Sequence, residues 1–304
     1  MRNINRFNNK ITRNLEEQKS FFKIDLGKNW YKFSRNKISV LGLIIVIAIT
    51  ILAIFAPWIA PYPEHAGPKV DFNNAHKPPS LNYLCGTDTI GRDIFSRIIF
   101  AFRGALIMAF IVQGIAVPIG TTLGLIAGYF KNSWIDIIIM RITDVFLSVP
   151  SLILALAIAA VLEPNLTNSM LAISITWWPW NTRLVYGMAS SIKNEYFVIA
   201  ADLMGASKIH ILVREILPNC LSIIFTKMTM DVSGVILVGA ALSFVGLGEQ
   251  PPTPALGQMI SDGAGFLPTF WWISVFPAIA ILIIVLGFNL TGDGVRDMLE
   301  QGMG

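Results

Sequence analysis

The chain has 304 residues, of which 54% are hydrophobic and 14% are charged, and its mean hydropathy is +0.62. This apolar content is well above what the core of a water-soluble domain requires, so the composition indicates a membrane protein. The formal net charge of +4 comes mostly from basic residues near the N-terminus. It therefore bears on membrane orientation and argues against a nucleic-acid-binding surface.

Six apolar segments approach or exceed the roughly 20 residues that a helix needs to cross a bilayer. Backbone amides in lipid must be hydrogen-bonded within the segment, so each segment predicts a helix and the fold class is an all-α integral membrane protein. The third span extends backwards through residues 137–140, and the fifth through 221–230 if Lys227 and Asp231 are tolerated. The predicted spans cover residues 38–63, 104–130, 145–162, 164–182, 232–248 and 263–292.

Basic residues in short flanks set the orientation of the spans. Residues 1–37 contain ten Lys and Arg against three acidic residues, so this basic, amphipathic segment is predicted to be cytoplasmic and to lie on the inner membrane surface. The first span, 38–63, then leads to an extracytoplasmic segment, 64–103. A five-helix core over 104–292 follows, and the tail 293–304 returns to the cytoplasm.

Motifs for nucleotide, metal or covalent chemistry are absent from the sequence. There is no G-x-x-x-x-G-K-S/T, no H-E-x-x-H, no C-x-x-C and no G-x-S-x-G. We therefore expect no catalytic, cofactor or metal site in this chain. In the stretch from Gly86 to Asp93, Thr87 or Asp88 is predicted to cap a short helix on which Asp93 and Arg97 form an i,i+4 pair.

A polar interval, 195–219, separates the fourth and fifth apolar segments. Residues 196–204 predict a short helix that stops at Gly205, and Ser207 predicts the N-cap of a second helix that Pro218 ends. An apolar stripe with helical spacing follows that cap, at Ile209, Leu212, Val213, Ile216 and Leu217. We predict a rigid helix pair that faces the cytosol and docks a partner. Composition leaves open an amphipathic connector that only lies on the bilayer.

Charged residues inside spans are costly and often functional. Arg141 and Asp144 lie three residues apart near the inner end of the third span, and Lys227 and Asp231 lie four apart in the fifth. Each pair can form a salt bridge along its helix, and each is also a candidate for a pore or gate. Mutual pairing is the favoured interpretation, and Lys227 and Asp231, being deeper, are the better candidates for a wet cavity.

Small and helix-bending residues also recur within the spans. Gly120, Gly124 and Gly128 are spaced for close helix packing, which we expect within the chain rather than against a partner. Pro118, Pro150, Pro179 and Pro277 predict kinks.

The stretch "AADLMGASKIHILVREILP" resembles the E-A-A-x3-G-x9-I-x-L-P loop of ABC importer permeases. Ala200, Ala201, Gly205, Leu217 and Pro218 match at the right spacing. Ile199 stands where that motif has Glu, and Glu215 stands where it has Ile. The segments "GTDTIGRDIFSRIIF", "MRITDVFLSVPSLILAL", "ALSFVGLGEQPPTPALGQMI" and "FNLTGDGVRD" are similar to the second permease of dipeptide, oligopeptide and nickel importers. The resemblance covers almost the whole chain beyond residue 30.

This resemblance implies a membrane subunit that forms half of a path for peptides or a related small solute. The implied partners are a second, homologous permease, two ATPase subunits that bind ATP and magnesium, an extracytoplasmic solute-binding protein and membrane lipid, with no nucleic acid. The loop 193–218 would then carry the ATPase-coupling residues, namely Ala200, Ala201, Asp202, Gly205, Ala206, Ser207, Leu217 and Pro218.

Two other function classes compete with this one. A secondary transporter or channel subunit not driven by ATP predicts inverted repeats with broken helices and ion ligands at the midplane. The sequence shows no convincing repeat. A membrane-bound enzyme is disfavoured by the missing catalytic clusters.

Overall fold

The computed structural model describes residues 26–300, and over this range it consists of helices and connecting turns without a β-strand. One isolated backbone bridge joins Thr87 and Asp93. The predicted all-α class is therefore confirmed. The predicted surface segment 1–37 falls largely outside the described residues, which contain only its last part.

Three helices make up the N-terminal part: α1, Leu26–Arg35, α2, Lys37–Ile54, and α3, Ala56–Ile59. The Asn36 side chain caps α2 by accepting hydrogen bonds from the backbone N–H groups of Ile38 and Ser39. Helix α2 stops at Ile54 instead of running to residue 63. Pro57 explains the stop, because it lacks an N–H and its ring would clash with a carbonyl of the preceding turn.

Helix α4, Ile94–Tyr129, has 36 residues and a length of about 54 Å. The Asp93 carboxylate caps it by accepting a 2.8 Å hydrogen bond from the Ser96 N–H. The predicted separate short helix with an Asp93–Arg97 pair is therefore wrong. Asp93 is occupied as the cap of the long helix, and the Arg97 guanidinium lies 3.8 Å from the Asp88 carboxylate.

Helices α5, Trp134–Leu147, and α6, Ser151–Ala159, form a bent pair with an angle of 86° between them. Pro150 lies at the break, as the sequence predicts. Helix α7, Leu166–Ile192, follows with 27 residues and contains Pro179.

A short helix, α8, and a long helix, α9, follow α7. Helix α8 is Tyr196–Leu203, and α9 runs from Lys208 to Phe244 with a π-helical stretch at Ile211–Ile216. Helix α10, Leu256–Ala264, precedes α11, Trp272–Glu300. The prediction that Pro218 ends a separate second helix is wrong, because α9 continues through it. The last span likewise begins at Trp272 and not at residue 263.

Among the residues that the structure describes, four helices are long and apolar enough to cross a membrane: α2, α4, α9 and α11. The bent pair α5–α6 makes a fifth if it is one span. Helix α7 is not among them. The structure therefore supports a multi-pass membrane protein with four or five spans by length and composition.

A ridge of glycines joins α4 to α7. A Cβ atom at Gly120 would lie 2.6 Å from the Cβ of Asn181, and one at Gly128 would lie 2.6 Å from the Cβ of Ala189. At Gly124 it would lie 2.6 Å from the carbonyl oxygen of Thr182. The two backbones approach so closely that no side chain fits between them. The predicted packing within the chain is confirmed.

Contacts between elements define two ends of the bundle. At the near end, Asn36 before α2 donates a 3.3 Å hydrogen bond to Asp297 in α11. The end of α4 and the segment 193–218 lie at this end too. At the far end, the Trp272 indole donates to the carbonyl of Thr87 at 3.3 Å. The Ser169 hydroxyl donates to the carbonyl of Leu247 at 2.8 Å, which places the start of α7 at the far end.

Candidate coupling segment and membrane charges

The segment 193–218 begins with α8, which ends in a tight turn. Gly205 has φ +83° and follows the last turn of the helix. Its N–H bonds to the carbonyl of Asp202, and the N–H of Ala206 bonds to the carbonyl of Ala201 at 3.0 Å. This pair of bonds is the Schellman motif, in which a left-handed glycine satisfies the last carbonyls of a helix. The predicted stop at Gly205 is confirmed.

The second helical element starts as the sequence indicates. The Ser207 hydroxyl accepts a 3.2 Å hydrogen bond from the His210 N–H, so Ser207 is the N-cap. The predicted stripe is confirmed in part, because Ile216 is fully buried and Leu212 and Leu217 are half-buried, whereas Ile209 and Val213 are exposed and Ile211 is buried instead. A π-helical turn closes bonds between residues five apart, and Ile211 and Ile216 have that spacing. The stripe was predicted from α-helical spacing, which this turn does not have.

The buried face attaches the segment to the end of α4. Leu125 and Tyr129 of α4 form one apolar cluster with Val198, Ala201 and Ile211. Two lysines add cation–π contacts, since the Lys193 Nζ lies 5.4 Å from the Tyr129 ring centre and the Lys208 Nζ lies 5.2 Å from that of Phe130. The segment and α4 are therefore expected to move as one body.

The opposite face of the segment is exposed and apolar. Four large side chains are exposed there, with fractions of 90% for Tyr196, 84% for Leu203, 82% for Met204 and 75% for Ile209. A Cβ atom at Gly205 would meet no atom within 4 Å, so the backbone is open to close approach. Large exposed apolar patches mark interaction surfaces.

The structure distributes the eight predicted coupling residues between these two faces. Ala200, Asp202, Gly205 and Ser207 are exposed. Ala206, Leu217 and Pro218 are half-buried, and Ala201 is buried against α4. Sequence reasoning missed Tyr196, Leu203 and Met204 as parts of the surface. Their apolar character was the available signal, but in a chain this hydrophobic it does not stand out.

Lys227 and Asp231 form the predicted salt bridge along α9. The Asp231 side chain is 8% exposed and that of Lys227 is 33% exposed. The second carboxylate oxygen of Asp231 and the indole N–H of Trp177 are both buried without a hydrogen-bond partner among the described residues. Trp177 packs on Gly234, one turn from Asp231. The Trp177 indole is thus the nearest donor to the Asp231 carboxylate besides Lys227.

Arg141 and Asp144 do not pair, which corrects the prediction. The Asp144 carboxylate forms a salt bridge with Arg183 of α7 instead. Arg141 is exposed. Arg183 directly follows the charge-free run that ends at Thr182, and no spacing in the sequence indicates that it faces α5. Within residues 26–300, no group of three or more His, Cys, Asp or Glu is arranged to hold a metal ion.

Comparison with known proteins accounts for most of the chain. Residues 120–304 match the family described as binding-protein-dependent transport system inner membrane component. Residues 26–79 match the N-terminal TM domain of oligopeptide transport permease C.

Two relatives are similar over nearly their whole length. The dipeptide transport system permease protein DppC of Alkalihalophilus pseudofirmus is 41% identical over 272 residues, which cover 90% of this chain and 88% of the relative. The glutathione transport system permease protein GsiD of Escherichia coli is 41% identical over 271 residues, or 89% of this chain and 88% of the relative.

A solved structure shares the fold. A chain in the inward-facing MetNI methionine ABC transporter has a TM-score of 0.56 and 18% identity, and the match covers 67% of this chain and 97% of that one. The likeness at this identity concerns the fold alone. Together with the matches above, it shows that the chain belongs to the binding-protein-dependent inner membrane transport components, as an ABC peptide-transport permease of the DppC and OppC type.

Proposed function

We propose that this chain forms half of the translocation path of an ATP-driven importer for dipeptides, oligopeptides or a related small solute. The observation that carries this proposal is the exposed apolar face of the segment 193–218. This segment packs on the end of α4 and contains the first turns of α9. A transporter or channel subunit not driven by ATP would have no need of such a surface. The relatives named above also favour the importer.

Six spans remain our proposal, with α7 as the additional one. Helix α7 runs from the far end to the near end, and at about 40 Å it is long enough to cross a bilayer. Its low hydropathy comes from polar residues such as Ser174, Thr176, Asn181 and Thr182, which are buried inside the protein. Lipid therefore does not meet them, and their presence is compatible with a span.

The near end is proposed to be cytoplasmic. Arg35, Lys37, Lys208 and Arg214 are exposed there. The loops 163–168 and 245–270 at the far end contain no Lys or Arg. Segment 64–103 carries basic residues, but Arg92 forms a 2.7 Å salt bridge with Asp88 and so contributes little net charge.

In this arrangement two ATPase subunits would dock on the near ends of this chain and of a second, homologous permease. ATP and magnesium would be bound by those subunits. The exposed members of the coupling set would contact the ATPase, and the buried members, Ala201 above all, would fix the segment to α4. Because α9 is continuous from Lys208 to Phe244, a displacement of the segment would move the whole helix.

The far end would receive the extracytoplasmic solute-binding protein on segment 64–103 and the loop 249–257. Lys227 and Asp231 are proposed to line the path, since α9 would move with each ATP cycle. Asp144 and Arg141 remain candidates for a gate near the cytoplasmic side. The surrounding lipid would cover the exposed apolar faces of α2 and α5, and no nucleic acid is expected as a partner.

The test is co-purification of the tagged chain with its ATPase from cells that express the whole transport system. Leu203→Asp combined with Met204→Asp places two charges on the exposed apolar face and is expected to remove most of the bound ATPase. Leu81→Asp is the matched control, because Leu81 is 98% exposed at the far end. It should retain the ATPase.

Normal ATPase retention and peptide uptake by the Leu203→Asp, Met204→Asp variant would contradict the proposal. Membrane insertion is checked separately by the amount of chain in the membrane fraction. Gly205→Arg should also lose the ATPase, since its side chain meets no atom of this chain. Any residue other than glycine is strained at the φ of +83°, so Gly205→Ala is its control.

A further inference from the structure

A cavity of about 440 Å³ opens at the far end of the bundle. Its walls come from the first turns of α4, the last turns of α9, the loop 249–257 and residues 63–67. Cavities that bind small molecules usually have volumes of about 300–1,000 Å³. The size of this one therefore fits a small solute and is much greater than one water molecule needs.

The wall is mostly apolar but carries two opposite charges. Ile107, Met108 and Ile236 contribute apolar surface, and Arg103 and Glu249 contribute the charges. Neither charged side chain has a hydrogen-bond or ion-pair partner within residues 26–300. Burial raises the pKa of the Glu249 carboxyl.

Two unpartnered charges of opposite sign in one apolar cavity match a small zwitterion with an apolar body. A free peptide has a terminal carboxylate, a terminal ammonium and side chains between them. Arg binds carboxylates through a planar fork of donors, and a half-buried carboxylate gains most from a cation that replaces its lost water. The cavity thus offers one complementary group for each terminus.

We propose that this cavity binds a short zwitterionic peptide at the far end, with Arg103 on its carboxylate and Glu249 on its ammonium. This inference rests on the proposed function and adds a substrate site within the membrane subunit itself. The site lies next to loop 249–257, so it would receive the solute before the path opens further along α9.

Gly104 provides a steric probe of the cavity. It lines the cavity, and a Cβ atom there would meet nothing within 4 Å. A leucine at this position should fill the space without a clash. Gly114, on the same helix but away from the cavity, also has open space at its Cβ and is the matched control.

The experiment measures binding of labelled alanyl-phenylalanine to the full membrane complex in nanodiscs, without the solute-binding protein. Arg103→Gln and Glu249→Gln should each weaken binding roughly tenfold or more, as expected for a lost charged hydrogen bond. The C-terminal amide of the peptide should be insensitive to Arg103→Gln, and the N-acetyl peptide to Glu249→Gln. Gly104→Leu should abolish binding, whereas Gly114→Leu should not change it.

A second measurement serves where a charge variant fails to assemble. Thr253 lines the cavity, so a Thr253→Cys variant should react with a maleimide, and the peptide should slow that reaction. Background labelling is low, because Cys220 is buried and burial raises the pKa of Cys85 to about 11.

The outcomes separate this inference from the proposed function. If the wild-type transporter retains no ATPase subunit and imports neither peptide nor a related small solute in cells, the proposed function fails. If it imports another small solute but no peptide, the cavity proposal alone is overturned. If it carries peptide but neither the charge variants nor Gly104→Leu alter binding, or the peptide leaves Thr253→Cys labelling unchanged, the cavity proposal alone is overturned. Phosphatidylethanolamine that stays bound in phosphatidylcholine nanodiscs and is not displaced by peptide would also overturn it, by showing that a lipid zwitterion fills the site.

Discussion

The near and far ends of the bundle differ in which side chains are exposed and which are bonded within the chain. At the near end, Tyr196, Leu203 and Met204 are exposed. The backbone at the neighbouring Gly205 is also open to close approach.

At the far end, Asp88, Arg92 and Arg97 are buried and bonded to one another, outside the cavity that Arg103 and Glu249 line. The near end therefore presents unpartnered apolar surface, whereas the segment before α4 at the far end is held by its own polar contacts.

The far end is held by a network of buried polar contacts. The Asp88 carboxylate accepts a 2.7 Å bond from the Arg92 guanidinium. The ring of His65 accepts a 2.8 Å hydrogen bond at Nδ1 from the Asp93 N–H, and Asp93 in turn caps α4. Such a network fixes the segment before α4 to that helix through contacts within this chain.

The difference teaches which end is built to be completed by another protein. Exposed Tyr, Leu and Met next to a glycine match the composition of interface cores. The α4–α7 pair connects the two ends, because Asp93 caps α4 at one end while Tyr129 holds the segment 193–218 at the other. This difference between the two ends can be tested at the α4–α7 contact, within the spans and at each end of the bundle.

The largest loss of stability is expected at the close contact between α4 and α7, which connects the two ends. Gly124→Leu would force a side chain into the carbonyl of Thr182, which is backbone and cannot move away. We expect a loss of about 3 kcal/mol or more in the free energy of unfolding, measured by denaturation of the purified chain. Gly114→Leu, in open space on the same helix, should cost less than about 1 kcal/mol. Equal losses for both would show that the close contact of α4 with α7 does not hold the ends together.

A smaller loss of stability is expected from breaking the Lys227–Asp231 pair within α9. Lys227→Met leaves the buried Asp231 carboxylate without its cation and should cost about 2–3 kcal/mol, below the range for fully buried pairs because Lys227 is 33% exposed. Lys227→Met combined with Asp231→Asn should recover most of the loss. Thermal unfolding of the four forms gives the coupling energy, and strictly additive losses would argue against the pair.

The far end should respond to pH through His65. Burial lowers the pKa of His65 from its ordinary value of 6.5, so the neutral ring is the form that the fold stabilises. The unfolded chain takes up this proton at a higher pH than the folded chain does. Stability from His65 is therefore complete above about pH 6.5 and is lost as the pH falls through the folded pKa.

Thermal unfolding between pH 7.5 and 5.5 checks this expectation. His65→Gln can still accept the Asp93 N–H but does not titrate, so its stability should fall less than that of the wild type over this range. A wild-type stability that rises on acidification relative to the variant would have the wrong sign.

The smallest loss of stability is expected for the exposed pair of Asp144 and Arg183. The side chains of Asp144 and Arg183 are 45% and 52% exposed, so Asp144→Asn should cost less than about 1 kcal/mol. Arg141→Gln should leave stability unchanged, since Asp144 pairs elsewhere. A double-mutant cycle of Asp144 with each arginine measures the two couplings. A greater coupling to Arg141 would contradict the observed pairing.

Local sequence signals predicted local structure well. Gly205 and Ser207 define a helix stop and a cap through bonds to residues within one turn, so their neighbours in the sequence are sufficient. The close packing of the glycines of α4 was also predictable, because a regular spacing of small residues places them on one face. The all-α class followed from the requirement that backbone groups in lipid bond internally.

Features that depend on distant residues or on unusual backbone were missed. The Asp144–Arg183 pair joins α5 to α7, and no spacing rule relates the two positions. Helix α9 passes through Pro218 because a π-helical turn precedes it, and the wider turn accommodates a ring that would otherwise meet the carbonyl of Arg214. In that turn Ile211 is buried together with the predicted Ile216, while Ile209 and Val213 are exposed.

The most direct test of the central claim is site-specific photo-crosslinking in the intact transporter. A photoreactive residue at position 203 should crosslink to the ATP-hydrolysing subunit, with a yield that changes when ATP is added, whereas one at position 81 should not reach that subunit. Crosslinks from position 203 only to lipid or to this chain itself would contradict the proposal that the exposed face of segment 193–218 is where the ATPase acts.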